Sequence, residues 1–221
     1  MGWTVLIPVR GSAEAKSRLI DATAGPREHL RLVSALRMDT IRAALAATTV
    51  SRVVQVLDKA GPAQPGDGTL AFVQTRPGLN AALAEASTWA IRQWPSDGVV
   101  ALLGDLPALR PDDLDEALTE AVRHATAFVP DASGTGTTLL SAMPGVALDP
   151  RFGSGSAVRH GGFATPLHAA ASLRQDVDTV GDLARAVELG VGPATEAALR
   201  EPLAGSSRSR GRTRRIHRNP A

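Results

Sequence analysis

Short, almost wholly apolar runs alternate along this chain with segments whose apolar residues recur every three or four positions, and that alternation limits the folds open to it. Residues 3–9 form a β-rich run, punctuated by Pro8 and Gly11, that reads as a buried first strand. Residues 27–47 carry Leu30, Val33, Leu36, Met38, Ile41 and Leu45 at helical spacing. Residues 52–57 and 70–75 read as a second and third strand, with a loop rich in glycine and proline between them. A second helix is expected over 79–94, with Leu83, Ala86, Ala90 and Ile91 as its inner stripe.

Residues 98–103 are nearly all apolar, as a strand covered on both faces should be. Pro111 then opens a helix whose start holds Asp112, Asp113 and Asp115, in keeping with proline and dipole preferences. Two short strands are expected at 127–130 and 137–142, and two last helices at 160–173 and 179–189. Thr179 and Asp182 have the spacing of a capping box. The expected fold class is α/β, a mixed and mostly parallel sheet with helices on both faces. In such sheets ligands sit beyond the carboxyl ends of strands, so the segments that follow strands should carry the chemistry.

The 221 residues suffice for one domain with a real core, expected over residues 1–203. The absence of cysteine excludes disulfides and thiolate metal sites. No apolar run reaches the length of a membrane span and the N-terminus lacks the basic start of a signal peptide, so no membrane partner and a cytoplasmic location are expected. The sequence pI of about 9.9 invites a nucleic-acid partner. That basicity, however, belongs to Arg208, Arg210, Arg212, Arg214, Arg215 and Arg218; without them acidic residues outnumber basic ones. Residues 204–221 are therefore expected to be a disordered Arg/Ser/Gly-rich tail, and the body is not expected to bind nucleic acid.

Five post-strand segments hold candidate functional residues. Pro8-Val9-Arg10-Gly11, with Lys16 and Arg18 shortly after, is a polar glycine-containing loop that is not a Walker A motif. Its three cations suit a triphosphate, or form a solvated basic loop; Lys16 is one of only two lysines in the chain, with Lys59. Gly104-Asp105-Leu106-Pro107 ends the apolar strand with an acid placed to hold a divalent cation, or merely to cap a turn. Between Pro130 and Thr138, Gly134 and Gly136 stand among hydroxyl residues, as in an anion-binding nest or a hairpin turn. Phe152-Gly153-Ser154-Gly155-Ser156 offers similar donors, and Ser156 could open a helix there. Asp176 and Asp178 point the same way if their segment is extended, so one of them, with Asp105, could complete a Mg²⁺ site, or Asp178 could instead cap the following helix. His160 and His168 lack partners at metal-ligand spacing and read as structural or pocket-lining, and no Ser-His-Asp arrangement is recognisable.

Taken in order, these segments, with Gly78-Leu79-Asn80 between them, resemble one family: the phosphoenolpyruvate/2-phospho-L-lactate guanylyltransferases of deazaflavin coenzyme F420 biosynthesis. The resemblance runs from Trp3 to about Leu189 and implies a Rossmann-like nucleotidyltransferase fold. It implies that Pro8, Val9, Arg10, Gly11, Lys16 and Arg18 hold the phosphates of GTP, and that Gly78, Leu79 and Asn80 help to hold the nucleoside. Asp105 matches the family's metal-binding acid for Mg²⁺, with Asp176 and Asp178 as the second source of carboxylate, while Thr138, Gly153 and Ser156 match positions that hold the phosphoacid acceptor. Arg10 stands where lysine is common and Thr138 where asparagine is frequent, so the donor chemistry differs at both positions.

The activity implied is transfer of GMP from GTP to phosphoenolpyruvate or 2-phospho-L-lactate, with a downstream transferase to take up an unstable product. A nucleotide-sugar-type nucleotidyltransferase on the same scaffold, or a nucleotide- or RNA-binding protein that uses its basic tail, are the alternatives.

Overall fold

The computed structural model describes residues 1–9, 19, 25–58 and 68–200. Arg10, Gly11, Lys16, Arg18 and the Arg-rich tail lie outside the described residues. Seven strands form one sheet: β1 (Trp3–Val9), β2 (Val50–Leu57), β3 (Leu70–Val73), β4 (Gly98–Leu102), β5 (Thr126–Pro130), β6 (Thr137–Ala142) and β7 (Thr165–Pro166). Their spatial order is β3-β2-β1-β4-β6-β5-β7. The first four run parallel, β6 is antiparallel to both β4 and β5, and β7 is parallel to β5. The sheet is thus mixed and mostly parallel, as expected for an α/β fold.

Side-chain alternation divides the core into two layers. Val5, Ile7, Val53, Val100 and Leu102 meet α1 (Pro26–Ala46) and α3 (Pro111–Ala121) on one face. Leu6, Val54, Val56, Val99 and Ala101 meet α2 (Leu79–Gln93) and α4 (Ser156–Gly161) on the other. Strands β4 and β6 are buried along their whole length, which is why they read as unbroken apolar runs rather than as alternation. Trp3 pairs with Gly98 across the β1–β4 ladder, and its ring fills the space a Cβ on Gly98 would occupy. Glycine is required there by contact, and Trp3 is core packing.

Two features of the last third of the chain differ from expectation. The helix expected over 160–173 is absent: α4 ends at Gly161, β7 follows, and only α5 (Ala171–Arg174) is helical. Gly161-Gly162 gives up helix propensity, and Pro166 lacks the N–H that an interior helical turn needs. A further helix, α7 (Pro193–Arg200), was not anticipated; buried Asp39 of α1 accepts hydrogen bonds from Ala194 N and Thr195 N at its first turn, at 3.0 and 2.7 Å. The 131–136 segment is a hairpin turn between β5 and β6, its hydroxyls spent internally: Ser133 Oγ donates to Asp131 Oδ1 at 2.9 Å and lies 2.7 Å from Thr135 Oγ1. The capping box on α6 (Val180–Leu189) stands as expected, with Thr179 and Asp182 exchanging both bonds.

α1 leads from β1 to β2, while α2 leads from β3 back past β1 to β4. Strand order therefore reverses between β1 and β4, and a crevice is expected at their carboxyl ends.

Candidate active site

Asp105 lies just past the end of β4, in a turn held from three sides. Thr40 Oγ1 of α1 donates to Leu36 O and accepts the Leu106 amide, both at 3.0 Å. Gly192 N donates to Pro107 O at 2.9 Å. The third bond is the informative one: Val177 N donates to the carbonyl of Asp105 at 3.1 Å. Gln175 and Val177 are buried, so Asp176 and Asp178 share the other face of this extended segment. A backbone contact thus brings the two acid-bearing segments together across more than 70 residues of chain. Asp105 is half-buried, and its Oδ1 is shielded from solvent. Among the described residues, no three acidic or histidine side chains suffice by themselves to hold a metal ion.

Thr138 adjoins the same turn, its carbonyl accepting the Leu103 amide at 2.9 Å. Its side chain is fully buried, and Thr138 Oγ1 has no hydrogen-bond partner among the described residues. Such a hydroxyl costs roughly 1–3 kcal/mol unless something satisfies it. Beside it, the 149–156 loop is pinned by His160, whose ring is closed off by Phe128, Phe152 and Phe163. The Arg151 amide donates to His160 Nε2 at 2.9 Å, so Nε2 carries no proton; Nδ1 is then the N–H donor to Thr137 Oγ1 at 2.8 Å. Burial, reinforced by neighbouring Arg159 and Arg151, pushes the pKa of His160 down to about 4. Ser156 is buried at the start of α4, and Gly153 has a φ of 118° that glycine alone adopts readily.

Asn80, which resemblance assigned to the nucleoside, holds this loop as well. Its Nδ2 donates to Phe152 O at 3.1 Å and its Oδ1 accepts the Phe152 amide at 2.8 Å. The side chain spans from α2 to the loop that bears Gly153. Asn80→Ala should therefore lower stability by about 1–2 kcal/mol, seen as a lower urea midpoint, and Asn80→Asp should cost at least as much, because its second carboxylate oxygen would face Phe152 O acceptor to acceptor.

A cleft of about 350 Å³ opens at the carboxyl ends of the parallel strands. It is lined by Pro8 and Val9 of β1, Asp58 after β2, Gln74 after β3, and Gly78 and Leu79 at the start of α2. Asp58 and Gln74 were not singled out in the sequence, because each is a lone polar residue after a strand with no motif around it. Arg37 was missed too. Its Cγ lies 3.6 Å from where a Cβ on Gly104 would stand, and side chains on a helix lean toward its N-terminus, here toward the strand ends. Arg37 makes no ion pair or hydrogen bond among the described residues, and burial lowers the pKa of its guanidinium.

A family model described as "Guanylyl transferase CofC like" matches residues 3–201. A phosphoenolpyruvate guanylyltransferase of Streptomyces scabiei is 45% identical over 214 residues, covering 90% of this chain and 96% of its own. The corresponding protein of Streptomyces coelicolor is 46% identical, covering 93% and 100%. Among solved structures, a nucleotide-diphospho-sugar transferase from Desulfovibrio desulfuricans G20 superposes with a TM-score of 0.65 at 17% identity, covering 83% of this chain and 85% of its own. A Mycobacterium tuberculosis H37Rv protein crystallised with manganese superposes at 0.54 with 20% identity, covering 84% and 97%. At these identities the solved structures establish the fold.

Proposed function

The chain belongs to the CofC-like guanylyl transferase family, and from that premise we propose that it joins the GMP moiety of GTP to phosphoenolpyruvate and releases pyrophosphate. The observation that carries this reading is the meeting of the Asp105 turn with residues 176–178 at the strand-order reversal, with a cleft opening at the carboxyl ends of the neighbouring strands β1, β2 and β3. The choice of phosphoenolpyruvate over 2-phospho-L-lactate leans on the names of the Streptomyces relatives. The place assigned to the reaction is coenzyme F420 biosynthesis.

In this reading a phosphate oxygen of the acceptor attacks the α-phosphorus of GTP. A new P–O bond forms as the bond to the β-phosphate oxygen breaks, and its electron pair leaves with pyrophosphate. No general base is required, because the acceptor phosphate is ionised at neutral pH. Buried, neutral His160 fits that requirement, since it has no free nitrogen to offer.

Asp105, with one of Asp176 and Asp178 from the adjoining segment, would supply hard oxygen donors of the kind that suit Mg²⁺; since no group of three acids is formed among the described residues, substrate phosphates would have to complete the coordination shell. When bound there, the ion would offset the negative charge that develops on the phosphates. Arg37 is a cation for the same charge. Lys16 and Arg18 are assigned to the leaving pyrophosphate, and Arg10 and Gly11 to the triphosphate; all four follow β1, whose last residue, Val9, lines the cleft. The unsatisfied hydroxyl of Thr138, with Gly153 and Ser156, is assigned to the acceptor.

The test is an incubation with Mg²⁺, each of the four nucleoside triphosphates, and phosphoenolpyruvate, 2-phospho-L-lactate or a sugar 1-phosphate, followed by pyrophosphate release. GTP with phosphoenolpyruvate should give the fastest release. The product is a mixed phosphoanhydride open to attack, so the assay is repeated with a downstream transferase that captures it. No release from GTP with either phosphoacid in both formats would refute the proposal.

A further inference from the structure

The acid-bearing segment is held by more than its bond to the Asp105 turn. Arg174, which closes α5, reaches the turn between β5 and β6: its Nε donates to Pro130 O at 3.2 Å and its Nη2 to Asp131 O at 2.9 Å. The contact runs back through the main chain, where the Ala132 amide donates to Arg174 O at 2.7 Å. That same carbonyl accepts the Asp176 amide at 3.2 Å, and Gln175 Nε2 donates to Asp176 O at 2.9 Å. One residue further on, Val177 N meets the Asp105 carbonyl. The backbone that carries Asp176 is therefore fastened on both sides, to the β5–β6 turn before it and to the turn after β4 behind it.

The turn that Arg174 grips is itself stiff. Asp131 folds its carboxylate back over it, and Oδ1 accepts Ser133 Oγ and the Thr135 amide, both at 2.9 Å. A Cβ on Gly136 would overlap that carboxylate, so glycine is required for the turn to close on it. On its far side Thr135 O accepts the Ala157 amide of α4 at 3.1 Å, next to Ser156. One turn thus stands between the loop assigned to the acceptor and the segment assigned to the metal, tied to the first through Ala157 and to the second through Arg174. A guanidinium suits the second task. Its planar fork meets two adjacent carbonyls in one fixed orientation, whereas a lysine ammonium on a flexible stem fixes less.

We propose that Arg174 is a positioning residue for the metal-binding acids: clamped on the β5–β6 turn, it sets where Asp176 and Asp178 stand relative to Asp105. This rests on the reading of Asp105, with one of Asp176 and Asp178, as the site of a divalent cation. The sign of the effect separates positioning from direct electrostatics. A guanidinium that acted on the site through its charge alone would repel the ion, and its removal would tighten binding. Removal of a positioning residue does the opposite, because the carboxylates are no longer held in the geometry that gathers the ion. The backbone bonds of Ala132, Asp176 and Val177 do not involve the Arg174 side chain, so without it the segment should loosen rather than detach.

The experiment follows binding of Mn²⁺ with GTP to the full chain by water proton relaxation, without phosphoacid, so that the outcome does not depend on turnover. Wild type is compared with Asp105→Asn, Arg174→Met and Arg174→Lys. Arg174→Met should weaken binding by about tenfold or more, and Arg174→Lys should fall between it and wild type. The Mg²⁺ concentration for half-maximal pyrophosphate release should rise in step, while the KM for phosphoenolpyruvate is unchanged, because the acceptor loop keeps its bond to Thr135. If Arg174→Met does not fold, Arg174→Lys carries the comparison: weaker Mn²⁺ binding supports the role and wild-type binding overturns it. Wild-type or tighter binding by Arg174→Met, with Asp105→Asn defective, overturns the positioning role and leaves the metal reading standing. An equal loss of phosphoenolpyruvate affinity would show a general loosening and overturns it too. Wild-type binding by Asp105→Asn, or no relaxation enhancement in wild type, removes the ion from this turn and the role of Arg174 with it.

Discussion

Asp105→Asn is expected to lower pyrophosphate release by about 1,000-fold or more while leaving the thermal midpoint within a degree or two of wild type. The separation of the two effects follows from how the turn is held. Thr40 Oγ1 to Leu106 N, Gly192 N to Pro107 O and Val177 N to Asp105 O all engage hydroxyl or backbone groups, and none uses the Asp105 carboxylate. Asparagine has the same shape, so these three bonds are kept when the charge goes. That charge is what the chemistry needs, since a neutral amide binds Mg²⁺ weakly and does nothing to gather carboxylates and phosphates around it. Asp176→Asn and Asp178→Asn should show a milder form of the same defect, as a rise in the Mg²⁺ concentration that gives half-maximal rate. Steady-state rates and melting curves on the same preparations check it. Full turnover by Asp105→Asn would remove the metal assignment altogether.

How much of this site could be read in the sequence depended on whether a residue's role is local. β1 and β6 were placed to the residue, because runs buried on both faces leave no room for another reading. The capping box at Thr179 was legible because both of its partners lie within four residues. Asp105 was legible as an acid fixed by a glycine and a proline at the end of such a run. The union of Asp105 with residues 176–178 was anticipated only as a possibility of chain geometry, since the bond that makes it links Val177 to a carbonyl more than 70 residues away.

Where roles depend on packing between distant elements, sequence reading went astray or was silent. Residues 160–173 contain enough alanine and leucine to resemble a helix, yet the glycine pair and Pro166 break it, and β7 forms because β5 offers an open edge. α7 is anchored by Asp39, a residue that within its own helix looks like an ordinary polar position. Asn80 lies in a motif that resemblance ties to the nucleoside, and only the folded chain shows its amide closing on Phe152. Asp58, Gln74 and Arg37 carry no local signature at all; the cleft and the turn give them meaning.

His160 carries the second large effect, and it is a pH effect. In the folded chain Nε2 must accept from the Arg151 amide, so a proton there would set donor against donor in a buried site. Burial, with Arg159 and Arg151 nearby, accordingly lowers the pKa from 6.5 to about 4. The unfolded chain takes up that proton more readily, so stability rises with pH wherever the two states differ. The contribution of His160 is fully present above pH 6.5, is lost progressively as pH falls toward 4, and does not fall further below that. Its size over the window is on the order of 3 kcal/mol, a large share of the margin of a typical domain. Urea midpoints of wild type and His160→Gln, measured from pH 7.5 to about 4, give the comparison. The variant should be less stable at neutral pH by about 2–4 kcal/mol, because it breaks a buried hydrogen-bonded hub, but its midpoint should decline less steeply on acidification. Since His160 pins the loop that bears Gly153 and Ser156, its protonation should also raise the KM for the phosphoacid in wild type before global unfolding sets in. Parallel pH slopes in the two proteins would show that acid sensitivity resides elsewhere, and that His160 is bound no more tightly in its neutral form than in the unfolded chain.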